Sequence, residues 1–405
     1  MGELRMHNAR KVTEDILWLG ASDRRIELFE NVYPVPDGMS YNNYLILDEK
    51  TALMDGVDES VSAQFFENLE DALSSRTLDY LVVQHMEPDH CACIPQLILK
   101  YPNLQIVATA KALQMIHQFF GLDLEGRTIA VKDGDDLKLG KHELTFVAAP
   151  MVHWPEVVVT YDKTSGVLFS ADAFGSFGAM SGNIFADEVD WERDWADEAR
   201  RYYVNIVGKY GAQTTALLNK AKALDIKMLL PLHGHIWRRD LYQIIGRYTK
   251  WAGYTPEVDS VAIFYGSIYG NTANAADVLA TKLAEKGIKD VRVFDTSKTH
   301  PSELVSRAFQ YGTLVFASAT YNAEIFDTMH TLLVDLKNHN LSGRKVGLIE
   351  NGSWAAVSGR KMREILDSMK DMEVLEPIVS IKSALDEASY QELEKLADAL
   401  EESLE

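Results

Sequence analysis

The sequence predicts an α/β protein in two parts: a layered first domain over residues 1–254 and a doubly wound parallel sheet over residues 255–405. Three observations predict it. A chain of 405 residues suits two domains. In the first part, apolar runs that read as strands end on imidazole or carboxylate residues, the usual address of a site in layered α/β folds. Beyond the turn-rich stretch Trp251-Ala252-Gly253-Tyr254-Thr255-Pro256-Glu257, strand and helix patterns alternate, as a parallel sheet covered on both faces requires.

Taken in order, residues 16–19 and 26–32 read as strands. Asn43–Leu47 and Thr51–Met54 flank the turn Asp48-Glu49-Lys50 and predict a hairpin. Val61, Phe65, Phe66, Leu69 and Leu73 have helical spacing. The apolar run Tyr80-Leu81-Val82-Val83 then leads into Gln84-His85-Met86-Glu87-Pro88-Asp89-His90. Four metal-capable side chains fall within six residues there, and Pro88 is expected to stop both strand and helix, leaving them on a loop. Imidazoles and carboxylates at this density suit a transition metal, and paired carboxylates suit two.

A short helix (94–99), a strand (104–108), a helix (110–120), strands at 128–131, 143–149, 157–161 and 167–171, and helices near 191–209 and 212–224 follow. The strand from Leu144 runs out to His153, that from Val167 ends on Asp172, and that from Lys227 ends on His233. Cys91 and Cys93 read as small packing residues, His142 as a solvated turn residue, and His235 as pointing away from the site.

In the second part, Val261–Tyr265 opens into Gly266-Ser267-Ile268-Tyr269-Gly270-Asn271-Thr272 and a helix to about Lys286. The hydroxyls of Ser267 and Thr272, with N–H groups at the helix start, suit a phosphate without a basic side chain. The loop is neither a nucleoside-triphosphate loop nor a dinucleotide fingerprint. The strand Thr313–Ala317 opens into Ser318, Ala319, Thr320, Tyr321 and Asn322, and Lys345–Ile349 opens into Glu350, Asn351, Gly352, Ser353 and Trp354. Small polar groups and an aromatic at each strand end suit a planar ring.

Bulk composition narrows the functions. The formal charge of −20 argues against nucleic acid or an anionic membrane as the main partner. Two cysteines are too few for a disulfide framework or a four-cysteine iron site, so a reducing cytoplasm and a separate electron donor are expected. No apolar signal core opens the chain, and no run approaches the length of a membrane helix.

The set His85-x-Glu87-x-Asp89-His90, His153, Asp172 and His233 resembles the metal signature of the metallo-β-lactamase fold, an αββα sandwich. Hydrolases of that fold usually carry His where this chain has Glu87. Glu there is characteristic of the flavodiiron proteins, and the exchange makes chemical sense, since a hard anionic oxygen favours iron over zinc. The second part resembles flavodoxin, which implies FMN, its phosphate on residues 267–272 and its ring between the two later loops. The resemblance implies one iron on His85, Glu87 and His153, another on Asp89 and His233, and Asp172 bridging. His90 is either a ligand or turned away with water in its place. It further implies four-electron reduction of dioxygen to water and a head-to-tail homodimer or dimer of dimers. Overall similarity to methanogen members implies reduced coenzyme F420 as donor. Nitric oxide reduction by the same site is the alternative, and a zinc hydrolase fused to a flavodoxin domain is a further one, which Glu87 opposes.

Overall fold

The computed structural model describes residues 7–404. The chain divides into two compact units: one runs to Tyr203 and takes up Ala212–Thr249, the other comprises Val204–Gly211 and the chain from Lys250. Val204–Gly211 is tied into the second unit by Asn205 Nδ2, which donates to Ser302 O, and by Tyr254 Oη, which donates to Gly208 O.

The first unit packs two sheets around one core. Seven strands form the first sheet, in the order Arg10–Lys11, Ile16–Trp18, Tyr44–Leu47, Thr51–Met54, Tyr80–Val83, Gln105–Thr109, Thr128–Val131. Five form the second: Asp136–Lys138, Glu143–Ala148, Val158–Asp162, Val167–Phe169, Met228–Leu230. Tyr44, Met54, Val82 and Val107 from the first sheet meet Phe146, Val158, Phe169 and Leu230 from the second, all within 1% of full burial. With the covering helices this is the expected αββα sandwich.

Strand direction places the site. Val167–Phe169 and Met228–Leu230 are parallel neighbours, so Asp172 and His233 leave the same edge. Glu143–Ala148 is reached through two antiparallel steps and so runs the same way, bringing His153 to that edge too.

The second unit is a parallel sheet in the order Arg292–Asp295, Val258–Gly266, Tyr311–Tyr321, Arg344–Asn351, Met372–Val374, with Val379–Ile381 also paired to Arg344–Asn351. The chain starts in the second position, moves outward one way and then the other. The reversal leaves a crevice between the carboxyl ends of Val258–Gly266 and Tyr311–Tyr321.

Several local expectations need correction. Residues 26–32 are not one strand: Leu28–Phe29 and Tyr33–Pro34 pair antiparallel around Glu30 and Asn31, whose φ angles of 50° and 56° reverse the chain. Pro88 does not leave a loop. It starts the helical turn Pro88–Cys91, since the missing N–H is no loss at a first helical position. The expected helix 191–209 breaks into Trp191–Asp194, Ala196–Tyr202, a wide turn Tyr203–Val207 and Gly208–Tyr210. The helix Tyr242–Ala252 takes the first two residues of the stretch read as linker. Its buried Ile244, Tyr248 and Trp251 have helical spacing, but Gly246 and the polar residues between them obscure it.

Candidate metal centre and flavin cradle

His85 and Glu87 follow the strand Tyr80–Val83, Glu87 standing in extended backbone immediately before the helical turn. Asp89 and His90 come from the helical turn that Pro88 begins. Folding gathers these with His153, Asp172 and His233 into two groups: His85, Glu87, His153 and Asp172, and Asp89, His90 and His233, each with its ligand-type atoms within 4.8 Å of one another.

Asp172 joins the groups. Its Oδ2 lies 3.2 Å from His85 Nε2 and 3.1 Å from His153 Nε2, while Oδ1 lies 3.2 Å from His90 Nε2 and 3.6 Å from His233 Nε2. Glu87 Oε2 sits 3.3 Å from His85 Nε2 and 3.2 Å from His153 Nε2. Asp89 Oδ2 mirrors it, 3.3 Å from His90 Nε2 and 3.2 Å from His233 Nε2. His90 therefore faces the second group and is not turned away.

These residues fit two metal ions. Both oxygens of Asp89 and of Asp172, and the Nε2 atoms of His90 and His233, are buried with no hydrogen-bond partner. Buried polar atoms rarely stay unsatisfied, and here the lone pairs converge on shared points. Electrostatics agree. Burial alone would favour neutral forms, yet the Asp172 charge and hydrogen bonds to Glu156 and Glu87 hold His85 well above its usual range. Burial opposes a charged Asp172 too, and the charges of His85 and His90 hold its carboxyl well below. The centre is built to hold positive charge.

Sequence reading missed the residues around it. His85 Nδ1 lies 2.8 Å from Glu156 Oε1, which also accepts Met86 N–H at 2.9 Å. His233 Nδ1 donates to Ser40 O at 2.7 Å, and Ser40 Oγ accepts Gly234 N–H at 2.8 Å. Asn42 Nδ2 bonds Pro231 O and Gly234 O at 2.9 and 2.8 Å, fixing the loop that carries His233. Asp55 Oδ1 accepts Gln84 N–H at 2.7 Å. Desolvation and the neighbouring Glu87 carboxylate push the Glu30 carboxyl up to about 9. The one signal available for Glu156 was an acid directly before the apolar run Val157-Val158-Val159.

Of the aromatics near the site, Trp154 lies edge-to-face with His85, their ring centres 5.2 Å apart. Phe29, Tyr41 and Tyr202, from distant segments, surround His233 at 5.6, 5.8 and 5.5 Å. Phe177 lies behind them on Phe29 and Tyr202, and Phe174 packs on Tyr248. His235 is buried against Trp195 and belongs to neither group. His142 is not solvated but 1% exposed, with Nδ1 2.7 Å from Asp162 Oδ2 and Nε2 3.0 Å from Asp15 Oδ2. The carboxylates at both nitrogens draw it out of solvent. Cys91 and Cys93 are buried and reduced, their thiols bonded to Met86 O and Val57 O.

In the second unit a cavity of about 480 Å³ occupies the crevice where the strand order reverses. Ser267, Ile268, Tyr269, Asn271 and Thr272 line one end, Ala319, Thr320 and Asn322 another, and Asn351, Gly352, Ser353 and Trp354 a third. Gly270 and Tyr321 do not line it, while Ala323, Ala355 and Ser383 do. Gly270 shapes the loop instead. At φ 95° it precedes the helix Asn271–Glu285, and its N–H bonds Ser267 Oγ at 3.1 Å. Nothing lies within 4 Å of where its Cβ would be, so a side chain there costs strain and not crowding. Ser383 ties the third loop down: its N–H bonds Asn351 Oδ1 at 3.1 Å, and its hydroxyl meets Ser353 Oγ at 2.8 Å. A small-residue loop at the start of a 15-residue helix, flanked by aromatics 92% (Tyr269) and 95% (Trp354) exposed, fits a phosphate-bearing flavin.

A two-metal carboxylate–imidazole centre and a flavin cradle in one chain define a metalloflavoprotein. Comparison with known proteins agrees. Residues 39–234 match the ODP family beta lactamase model and residues 263–396 match flavodoxin. The anaerobic nitric oxide reductase flavorubredoxin of Vibrio vulnificus is 33% identical over 355 residues, 85% of this chain and 70% of that one. Among solved structures, rubredoxin oxygen:oxidoreductase from Desulfovibrio gigas superimposes with a TM-score of 0.92 at 27% identity, covering 98% of both chains. A variant of the flavodiiron protein from Thermotoga maritima gives 0.89 at 27% identity with the same coverage. The chain belongs to the flavodiiron proteins, oxidoreductases whose cofactors are FMN and a di-iron centre. Among the described residues no helix is long and apolar enough to cross a membrane.

Proposed function

We propose that this protein reduces dioxygen to two waters in the cytoplasm, taking electrons through FMN from reduced coenzyme F420. One observation carries the reading: seven buried ligand-type side chains converge as two groups joined by Asp172, in the same chain as a flavin cradle. One iron position is assigned to His85, Glu87 and His153 and the other to Asp89, His90 and His233, with Asp172 across both. Bound in the cradle, FMN would supply the exchange between two-electron and one-electron transfer, and two irons would supply electron storage and Lewis acidity toward the gas.

The chain's own residues do the rest. Glu87, Asp89 and Asp172 supply hard anionic oxygens that favour iron. Glu156 and Ser40 O take the outer N–H of His85 and His233 and aim each Nε2 inward. Phe29, Tyr41 and Tyr202 limit water around His233. Ser267, Thr272 and the N–H groups after Gly270 hold the phosphate, and Tyr269 and Trp354 flank the ring. Because each cofactor site lies within a different unit, we propose a head-to-tail homodimer, or a dimer of such dimers, in which each flavin faces a partner's irons.

A second reading, reduction of nitric oxide, is favoured by the name of the relative at 33% identity. Anaerobic reduction of the purified protein with reduced F420, followed by either gas, separates the two. The expected result is two irons and one FMN per chain and faster turnover with dioxygen. A colourless or zinc-only protein sinks both readings. Faster turnover with nitric oxide replaces the first by the second, and failure of reduced F420 to bleach the flavin removes that donor.

A further inference from the structure

His85 and His233 are held from behind by different kinds of group. His85 Nδ1 meets the Glu156 carboxylate at 2.8 Å, and the same oxygen accepts Met86 N–H at 2.9 Å. The Glu156 side chain is fully buried. Its Oε2 has no hydrogen-bond partner. Two N–H groups, from His85 and Met86, point at Oε1 and favour the ionised carboxyl, so Glu156 accepts as an anion. His233 Nδ1 instead donates to a neutral main-chain carbonyl, Ser40 O, at 2.7 Å.

The other charges nearly balance. Each group has one carboxylate of its own, Glu87 or Asp89, and Asp172 offers one oxygen to each. Asp55 acts on the main chain of the strand end, through Gln84 N–H. Glu30 works the other way, because its hydrogen bond draws electron density from Glu87. A neutral hydrogen bond offsets less than the whole negative charge that Glu156 brings. The uncompensated difference is Glu156.

We propose that Glu156 makes the two metal positions unequal, so that the one held by His85, Glu87 and His153 is the more easily oxidised. This rests on the ligand assignment above. An imidazole whose outer N–H bonds a carboxylate is a stronger donor than one bonded to a carbonyl and stabilises the higher oxidation state of its metal. One electron taken from the fully reduced pair by a one-electron chemical oxidant therefore leaves the ferric ion beside His85 and the ferrous ion beside His233. No bond breaks and no proton moves. In the reverse direction the position beside His233 fills first.

Glu156→Gln tests this, because glutamine keeps the shape and an oxygen acceptor and removes the charge. The readout is a stepwise redox titration of the holoprotein, followed by the electron paramagnetic resonance of the one-electron state. In E156Q the first oxidation should move to higher potential while the second stays. The gap then narrows, and the largest mixed-valent population falls toward about one half, its value for two equal and independent sites. E156D, which keeps the charge, should lie nearer the wild type. Both potentials moving together, neither moving, or E156D matching E156Q would overturn the proposal. Should E156Q hold fewer than two irons, Mössbauer spectra of the one-electron-oxidised wild type decide: separate ferric and ferrous components uphold it, and a delocalised pair overturns it. A wild type without two irons per chain refutes the ligand assignment instead, and that measurement comes first.

Discussion

The metal centre of the first unit is made of side chains, and the flavin cradle of the second is made largely of backbone. At the metal centre every named group is a buried imidazole or carboxylate, and opposed charges hold one another in place. At the cradle the groups are N–H donors, small residues and hydroxyls, with the two large aromatics outside in water. The first site gets its chemistry from residue identity, the second from chain path. They should therefore fail differently under substitution.

The largest effect is expected at Asp172, whose two oxygens serve both groups. Asp172→Ala should weaken iron binding by more than about 100-fold and leave FMN in place. Metal analysis beside the flavin absorbance checks it, and two retained irons would break the side-chain account of this centre. The cradle should respond instead to a backbone change. At Gly270, φ 95° disfavours any side chain. Gly270→Val should cost about 1–2 kcal/mol of loop strain, so FMN should dissociate about 5–30 times more readily while iron stays. Unchanged flavin affinity would mean the loop does not hold the phosphate.

The smallest effect sharpens the contrast within the first unit. His142 is also a buried imidazole between carboxylates, its Nδ1 bonded to Asp162 and its Nε2 3.0 Å from Asp15, but among the described residues it belongs to no group of three or more ligand-type side chains. It reads as a fastening and not a ligand. Burial disfavours the imidazolium, but hydrogen bonds to Asp162 and Asp15 outweigh it and raise the His142 pKa. A raised folded-state value contributes stability that is complete below the unfolded value of about 6.5 and fades as pH rises through the folded value. His142→Gln should thus lower the melting temperature more at pH 5.5 than at pH 9. Equal losses at both would leave packing as the whole of its role. The Asp15 carboxyl, desolvated by burial but held down to about 2 by Lys141 and His142, adds stability of the opposite sign, lost as pH falls from about 4 toward 2.

The sequence by itself determined the αββα sandwich with its doubly wound partner, and the residue types that meet at the metal centre. The reason is local: an apolar strand, its end and the polar residue just beyond it are adjacent in the chain, so Asp172 after Val167–Phe169 and His233 after Met228–Leu230 are visible one segment at a time. The crevice loops were legible on the same ground. Only the tertiary structure decided that His90 faces the second group, that Glu156 and Ser40 stand behind His85 and His233, that Glu30 reaches Glu87, and that His142 is buried. Glu156 is 71 residues from the imidazole it holds, and Ser40 is 193 from its own. A hydrogen bond across such a separation leaves no mark on local periodicity, because sheet register and not spacing along the chain brings its ends together.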